Sequence, residues 1–116
     1  MTIERIEVSR RLWEPPIHAG TVYLCGQVAD DMKPDIRQQT REVLANVDKM
    51  LARAGTGKSR LLTATVYLKS IDDYAAMNEV WDAWTAAGAA PARTCVGGVA
   101  LFSPDALVEI TVTAAK

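Results

Sequence analysis

Three consecutive residues, Gly57-Lys58-Ser59, reproduce the end of a phosphate-binding loop. A complete loop has the pattern G-x-x-x-x-G-K-[ST] after a strand and before a helix, because the amides at the helix N-terminus hold the phosphate. Here Ala52 occupies the first glycine position. The hydrophobic pattern also places a helix before this segment and a strand after it, and carbonyls at a helix C-terminus repel a phosphate. The segment is therefore predicted to connect a helix to a strand, not to bind a nucleotide.

Arg93 and Glu109 are the charged residues that least fit a purely structural role. Arg93 follows Pro91-Ala92, and Glu109 lies inside the apolar segment 107–112. An arginine fork can grip a carboxylate through two hydrogen bonds. Glu109 points away from its apolar neighbours, so it is desolvated and needs a partner if both sheet faces are covered. The alternatives are exposed positions for both residues, or a structural ion pair between them.

The chain has two cysteines, Cys25 and Cys95, and one histidine, His18. The cysteines lack CxxC spacing, so neither a disulfide framework nor a zinc knuckle is indicated, and we expect reduced thiols. Cys95 is interpreted as a small buried strand residue rather than a nucleophile. A metal site would have to be built almost wholly from carboxylates. We therefore expect no metal and no cofactor.

The elements that must position these residues follow from hydrophobic periodicity. Two or three strands are predicted before residue 29, interrupted by Glu14-Pro15-Pro16. A long amphipathic helix begins near Pro34, and Gly55 ends it with Lys58 and Arg60 complementing its C-terminus. A strand is predicted over residues 61–68. The order of elements then indicates an α+β fold, or a mixed sheet with both helices on one face.

A second helix is predicted after Ser70, whose side chain can cap it together with Asp73. Its stripe of large residues, interpreted as core, consists of Tyr74, Met77, Trp81 and Trp84. The tail is predicted to form two strands joined as a hairpin by the turn 103–105. The first consists of residues 95–96 and 99–102, and the second of residues 107–113. Gly97-Gly98 is expected to mark a bulge or a close backbone approach.

Composition limits the class of protein. The 116 residues are 49% hydrophobic and carry a net charge of −1, with no run of more than two basic residues. That length fits one domain over residues 1–116, and the charge gives no electrostatic footprint for nucleic acid. No segment has the length and apolarity of a membrane span, and the first twenty residues do not resemble a signal peptide. We expect a cytoplasmic protein without nucleic-acid or membrane partners.

Five segments together resemble the RidA/YjgF family of reactive-intermediate (imine) deaminases, which includes RutC. They are LCGQVA (24–29), QQTREVLANVDKMLARAG (38–55), ATVYLKSIDDYAAMNEVWDAW (64–84), PARTCV (91–96) and LVEITVTA (107–114). The resemblance implies a chorismate-mutase-like fold: a mixed sheet backed by two helices, with three copies closing a barrel as a homotrimer. The sites would then lie in the clefts between subunits. The implied activity is hydrolysis of enamines and imines such as 2-aminoacrylate to a 2-keto acid and ammonia.

The resemblance also implies residue roles. Arg93 would hold the substrate carboxylate, and Glu109, with a backbone carbonyl near Cys95, would position and activate the attacking water. Cys25, Gly26 and Asn78 fall on positions that line the family's pocket. A substrate imine is already electrophilic, so orientation and a positioned water suffice for the reaction.

The resemblance is weakest before residue 19. Many members of the family carry a tyrosine there that closes the pocket, whereas this chain has residues 12–18, LWEPPIH. Trp13 or His18 could fill that place; alternatively, Trp13 packs and His18 is exposed. Gly97-Gly98 replaces larger family side chains. Three functions stay open, in this order: an enamine/imine deaminase, a non-catalytic module that binds small carboxylates such as 2-keto acids, and a chaperone-like or ribonuclease activity.

Overall fold

The protein is described by a computed structural model that covers the backbone of residues 2–7 and 13–116 and the side chains of residues 2–5 and 15–116. Within these residues, six strands form one mixed sheet and two α-helices pack on one of its faces. The strands are β1 (Ile3–Glu7), β2 (Trp13–His18), β3 (Thr21–Tyr23), β4 (Leu61–Leu68), β5 (Ala92–Val96) and β6 (Val108–Ala115). The helices are α1 (Ile36–Arg53) and α2 (Tyr74–Trp84). The predicted α+β class, with both helices on one face, is confirmed.

The strand order is β1-β2-β3-β6-β4-β5. β5 runs parallel to β4, and all other neighbours are antiparallel. The predicted tail hairpin is therefore wrong, because β4 lies between β5 and β6. Residues 99–102 are also not a strand. The parallel pairing of β5 with β4 requires a crossover between these two strands, and α2 lies in it. β6 runs antiparallel to β4 and enters the sheet between β3 and β4.

The core lies between the sheet and the helices. Along β4 and β6 buried residues alternate with half-buried ones, the period of strands with one covered face. The α1 residues that meet them recur at helical spacing and are fully shielded. The buried inward-facing residues of these three elements include Ala64, Val66, Leu68, Val108, Ile110, Val112, Val43, Leu44, Val47 and Leu51.

Helix α1 begins and ends at polar and glycine residues. Its N-cap is Asp35, one residue after the predicted Pro34, and the Asp35 carboxylate accepts a hydrogen bond from the Gln38 amide at 3.0 Å. At the other end Gly55 adopts φ 80°, and the Thr56 amide donates to the Leu51 carbonyl at 3.0 Å. This is the Schellman pattern, so the predicted role of Gly55 as helix terminator is confirmed.

Lys58 and Arg60 do not complement the end of α1 as predicted. The Arg60 guanidinium donates to the carbonyls of Ala115 and Lys116, at 3.3 and 3.0 Å. The Lys58 ammonium lies over the Trp84 ring, 5.4 Å from its centroid. The reason is that the chain turns away from the helix axis at Gly55. Both cations therefore tie the connection to β6 and α2.

Helix α2 is preceded by a short 3₁₀ turn over Ile71–Asp73. The Ser70 hydroxyl accepts a hydrogen bond from the Asp72 amide at 3.2 Å, so Ser70 caps this turn. The predicted joint cap of α2 by Ser70 and Asp73 is wrong: Asp73 is the N-cap residue of α2, but its side chain makes no capping hydrogen bond. Of the large-residue stripe, Met77 and Trp81 are buried in the core, whereas Tyr74 is 43% exposed. The core interpretation of the stripe thus holds for its centre and not for its first residue.

Strand β2 continues through Pro15-Pro16, where the sequence predicted a break. Glu4 pairs with Ile17 and Ile6 with Glu14, so the two prolines lie opposite the single residue Arg5. A bulge leaves residues outside the hydrogen-bonding ladder, which is where prolines without an amide hydrogen are tolerated.

Gln39 has a structural role that sequence patterning did not reveal. Its side chain is fully buried in α1. The amide nitrogen donates to the carbonyls of Met32, Pro34 and Asp105 at 2.9–3.1 Å, and the amide oxygen accepts from the Leu107 amide at 3.0 Å. One side chain therefore fixes both the loop before α1 and the loop before β6.

Candidate functional site

Glu109 lies in a cleft on the sheet face opposite the helices. The cleft has a volume of about 420 Å³. Its lining residues are Gly26, Tyr67, Val99, Ala100, Leu101, Phe102, Glu109 and Thr111. The register of β4 and β6 sets Tyr67 directly opposite Glu109. The half-buried Glu109 carboxylate makes no ion pair with the described residues, so it is a base candidate accessible from the cleft.

Gly26 supplies the backbone against which the Glu109 carboxylate rests. A Cβ atom at Gly26 would overlap Oε2 of Glu109 and approach its Cδ to 2.9 Å and its Cγ to 3.1 Å. Any residue larger than glycine would therefore displace the carboxylate. The predicted site residues Gly26 and Glu109 are brought together.

A β-bulge creates this contact. Val22 pairs with Ala114 and Gln27 with Ile110, so the segment leading to Gln27 contains one residue more than its partner. The Thr111 hydroxyl donates to the Leu24 carbonyl at 2.9 Å and satisfies a group in the interrupted ladder. A bulge re-aims local backbone and side chains, here next to Glu109.

Arg93 lies on β5, and its guanidinium is held by α2. Its Cζ is 5.0 Å from the centroid of the Trp81 ring and 6.0 Å from that of Tyr74. Its Nη1 is 3.8 Å from the Met77 sulfur. No carboxylate among the described residues forms a salt bridge with it. The charge is therefore stabilised by ring faces and left without an anion, which suits a group that binds an incoming carboxylate.

Within one chain, Arg93 and Glu109 lie on opposite faces of the sheet. Arg93 is in register with Ala64, which faces the helices, whereas Glu109 is in register with Tyr67 on the other face. Residues opposite each other on neighbouring strands project to the same side. Two sequence interpretations are thus wrong for a single chain: the two residues do not form an ion pair, and their strands are not neighbours.

The two cysteines lie on different parts of the sheet. Cys95 is in register with Val66 on the helix side and packs partly against the core. Burial raises the pKa of its thiol, and the Arg93 charge offsets part of that effect. A raised pKa keeps the thiol protonated near neutral pH, as expected for a packing residue. Cys25 sits in the bulge, where its carbonyl accepts a hydrogen bond from the Gln27 side chain at 3.1 Å.

Asn78 presents a buried acceptor from α2, one residue beyond Met77. Its side-chain oxygen is shielded from solvent and has no hydrogen-bond partner in the described part of the chain. Leaving such an atom unsatisfied costs about 1–3 kcal/mol. A hydrogen-bond donor would remove this cost. Asn78 is not among the residues that line the Glu109 cleft, so its predicted pocket role stays a prediction.

The N-terminal candidates are placed only in part. His18 ends β2 half-buried, paired in register with Ile3 and Thr21, so the interpretation of His18 as an exposed loop residue is wrong. The Trp13 side chain lies outside the described residues, so both interpretations of it, in the pocket or as a packing residue, stay predictions. Gly97 makes the close approach that was expected: a Cβ there would lie 2.7 Å from Cβ of Ile71.

A second cavity of about 500 Å³ lies between α1 and α2, and no sequence pattern predicted it. Its acidic residues are already engaged: Glu79 pairs with Arg37 at 2.8 Å, and Asp48 accepts from the Trp84 indole at 3.0 Å. The Arg37 hydrogen bond and charge lower the pKa of Glu79. Both carboxylates already have hydrogen-bond partners, whereas Glu109 has no ion-pair partner among the described residues, so we regard the Glu109 cleft as the better candidate for proton transfer.

Sequence reasoning missed the side chains that surround the two predicted charges. Tyr67, Phe102 and Thr111 share the Glu109 cleft. Only the β4–β6 register, which pairs distant segments, brings Tyr67 to Glu109. Over residues 2–7 and 13–116, no cluster of three or more His, Cys, Asp or Glu side chains is arranged to hold a metal ion. In the same ranges, no helix has the length and apolarity needed to cross a membrane.

This small α+β protein thus has two candidate functional features. Glu109 lies in a cleft on one sheet face, and the Arg93 guanidinium is held against aromatic rings on the other. Comparison with known proteins finds relatives that match nearly the whole chain. A family model described as "Endoribonuclease L-PSP" matches residues 3–116, a range that includes the segment before residue 19.

Similar proteins are found both among curated sequences and among solved structures. A RutC family protein of Haemophilus ducreyi is 46% identical over 97% of this chain and 96% of its own length. The RutC family protein YoaB of Escherichia coli is 42% identical over 99% of both chains. The crystal structure of a YjgF family member from Neisseria meningitidis superposes with a TM-score of 0.95 at 41% identity, covering 100% of this chain and 96% of that one. The chain belongs to the RutC (RidA/YjgF) family.

Proposed function

We propose that the protein is a hydrolytic deaminase that converts enamine or imine intermediates, such as 2-aminoacrylate, to 2-keto acids and ammonia. The observation that carries the proposal is the Glu109 carboxylate, set against Gly26 in an open cleft without an ion-pair partner among the described residues. The uncompensated Arg93 guanidinium supports it as a site for the substrate carboxylate. The name RutC family is compatible with this activity but does not specify it.

In the proposed reaction the enamine first tautomerises to the imine. Glu109 accepts a proton from a water molecule while the water oxygen bonds to the imine carbon, and that proton passes from Glu109 to the imine nitrogen. The resulting carbinolamine carries one hydroxyl and one amino group. Glu109 takes the hydroxyl proton and passes it to the amino nitrogen as the C–N bond breaks, which releases ammonia and the keto acid and restores the carboxylate. Arg93 orients the carboxylate throughout, and a backbone carbonyl near Cys95 helps to hold the water. Orientation supplies most of the acceleration, because an imine is already electrophilic. No cofactor enters this scheme.

The site is proposed to form between subunits of a homotrimer. Arg93 and Glu109 lie on opposite faces of one sheet, so one chain alone cannot present both to a small substrate. The sheet face that carries Glu109 is not covered by a described helix, and exposed apolar side chains such as Phe102 (73% exposed) lie beside it. A second copy would bury that surface and bring its own Arg93 to the cleft. The unsatisfied Asn78 oxygen fits the same arrangement.

The test is keto-acid release from an imine generated in situ. A dehydratase that produces 2-aminoacrylate is incubated with the protein, and 2-keto acid formation is followed against buffer. We expect acceleration by the wild type, with none by Arg93→Ala and little by Glu109→Gln. Absence of acceleration by folded wild-type protein contradicts the proposal.

A non-catalytic carboxylate-binding role is the second candidate. It is favoured by one observation: the contacts that hold the Arg93 guanidinium, to the Tyr74 and Trp81 rings, do not involve Glu109. A carboxylate could therefore bind to Arg93 without the proton acceptor that hydrolysis needs. This alternative predicts saturable binding of 2-ketobutyrate in calorimetry, lost in Arg93→Ala and unchanged in Glu109→Gln, with no turnover of imines by any variant.

A ribonuclease activity, suggested by the description of the family model, has less support in this chain. The net charge is −1, whereas neutralising phosphates requires clustered cations. RNA cleavage that disappears after stringent removal of contaminating nucleases would exclude it.

A further inference from the structure

Three side chains from consecutive turns of α2 contact the guanidinium of Arg93. The Trp81 and Tyr74 rings lie 5.0 and 6.0 Å from Cζ, and Met77 receives Nη1 at 3.8 Å. β5 carries the residue, but α2 supplies its surroundings. The direction of the fork is therefore set by a different element from the one that bears it.

We propose that Tyr74, Met77 and Trp81 are positioning residues that present the Nε–Nη2 edge of Arg93 to the ligand carboxylate. Nη1 is engaged with sulfur, and among the described residues no other hydrogen bond from Arg93 competes for its remaining donors. Nε and Nη2 together form one of the two-donor edges that match a carboxylate in a planar, bidentate pair. This inference rests on the proposed role of Arg93 in holding the carboxylate.

Ring support makes this arrangement effective for two physical reasons. The negative face of an aromatic ring stabilises the cation without using its in-plane N–H groups. A fork that is already fixed also loses less side-chain entropy when the ligand binds. Lysine at position 93 would keep the charge but lose the planar fork, so the arrangement selects arginine specifically.

Tyr74 is the residue that allows a clean test. Met77 and Trp81 are 0% and 5% exposed, so their replacement would disturb the core, whereas Tyr74 is 43% exposed. Tyr74→Leu removes the ring and keeps an apolar side chain, and Tyr74→Phe keeps the ring. Tyr23 is a matched control: it is 45% exposed and lies in β3, outside the lining of the Glu109 cleft.

The experiment measures the affinity of the intact protein for 2-ketobutyrate by calorimetry, together with KM and kcat for imine hydrolysis and the unfolding midpoint of each variant. Loss of a cation–π contact at an exposed site predicts about two- to fivefold weaker binding for Tyr74→Leu, appearing in KM rather than kcat. Tyr74→Phe should bind within about twofold of wild type, and Tyr23→Leu should match wild type.

The outcomes separate this inference from the proposed function. If Arg93→Ala abolishes binding while Tyr74→Leu binds as wild type, the positioning role is refuted and the carboxylate role of Arg93 stands. Equal weakening by Tyr74→Leu and Tyr74→Phe also refutes it, because the hydroxyl and not the ring would then matter. If Arg93→Ala binds as tightly as wild type, the role of Arg93 fails, and with it both proposals.

Discussion

Replacement of Gly26 by alanine should displace the Glu109 carboxylate without straining the backbone. Gly26 does not have a positive φ, so the change adds only a methyl group. That group would approach Cδ and Cγ of Glu109 to 2.9 and 3.1 Å and overlap Oε2. Ordinary carbon contacts begin near 3.5 Å, so the side chain must move by roughly half an ångström or more.

The expected magnitudes follow from that displacement. Overpacking costs about 1–3 kcal/mol, and we expect the low end because Glu109 is half-buried and can swing into the cleft. A displacement approaching 1 Å at a reacting group can lower the rate by about 10²-fold. Gly26→Ala should therefore lower kcat for imine hydrolysis by about one to two orders of magnitude, with a loss of about 1 kcal/mol in the free energy of unfolding.

The chain offers a matched control and an internal rescue. At Gly57 an added Cβ meets nothing within 4 Å and φ is −159°, so Gly57→Ala tests the same chemical change in open space. Glu109→Ala removes all three atoms that the new methyl group meets. The unfolding penalty of Gly26→Ala should accordingly vanish in the Glu109→Ala background, a non-additivity that urea titrations can measure. Equal activity and stability of Gly26→Ala and Gly57→Ala would refute the reasoning.

Three further results are expected. Gln39→Ala should lower the free energy of unfolding by at least about 3 kcal/mol in urea titrations, because it leaves several buried backbone groups without a hydrogen-bond partner. Gln38→Ala, at the exposed neighbouring position, should cost under about 0.5 kcal/mol. Similar losses of stability in the two variants would contradict this expectation. Gly55→Ala should cost about 1–2 kcal/mol in the same titrations because φ is 80°, and a neutral result would exclude the left-handed terminator. Burial raises the pKa of Cys95, so its alkylation by iodoacetamide in a Cys25→Ser background should accelerate only at higher pH than for a free cysteine peptide. The stability linked to the neutral thiol is lost as pH rises through that raised pKa. Faster alkylation at lower pH would contradict the effect of burial.

Elements with strong local patterns could be predicted from the sequence. The α1 stripe, its termination at Gly55 and the β4 strand are encoded over short distances, and the structure reproduces them. The relation between β5 and β6 could not be predicted in the same way. A turn between two apolar segments suggests a hairpin, whereas here β5 pairs parallel with β4 and β6 inserts next to β3. That choice depends on pairings between distant segments.

In the candidate site, too, the residues with local signals could be predicted, whereas their arrangement in space could not. Arg93 and Glu109 stand out because charges in apolar strands need an explanation, and their types alone suggest carboxylate binding and proton transfer. Their opposite faces depend on strand register. The contact between Gly26 and Glu109 depends on a one-residue bulge that no local pattern marks. The ring contacts of Arg93 likewise require the placement of α2 beside β5.

The central claim is that Arg93 and the Glu109 of another copy act on one substrate. A crystal structure of the protein with 2-ketobutyrate tests it most directly. We expect a trimer in which the ligand carboxylate receives two hydrogen bonds from Arg93, and in which the keto carbon faces a water molecule held by Glu109 of a neighbouring subunit. A ligand bound between α1 and α2, or a carboxylate that does not contact Arg93, would contradict it.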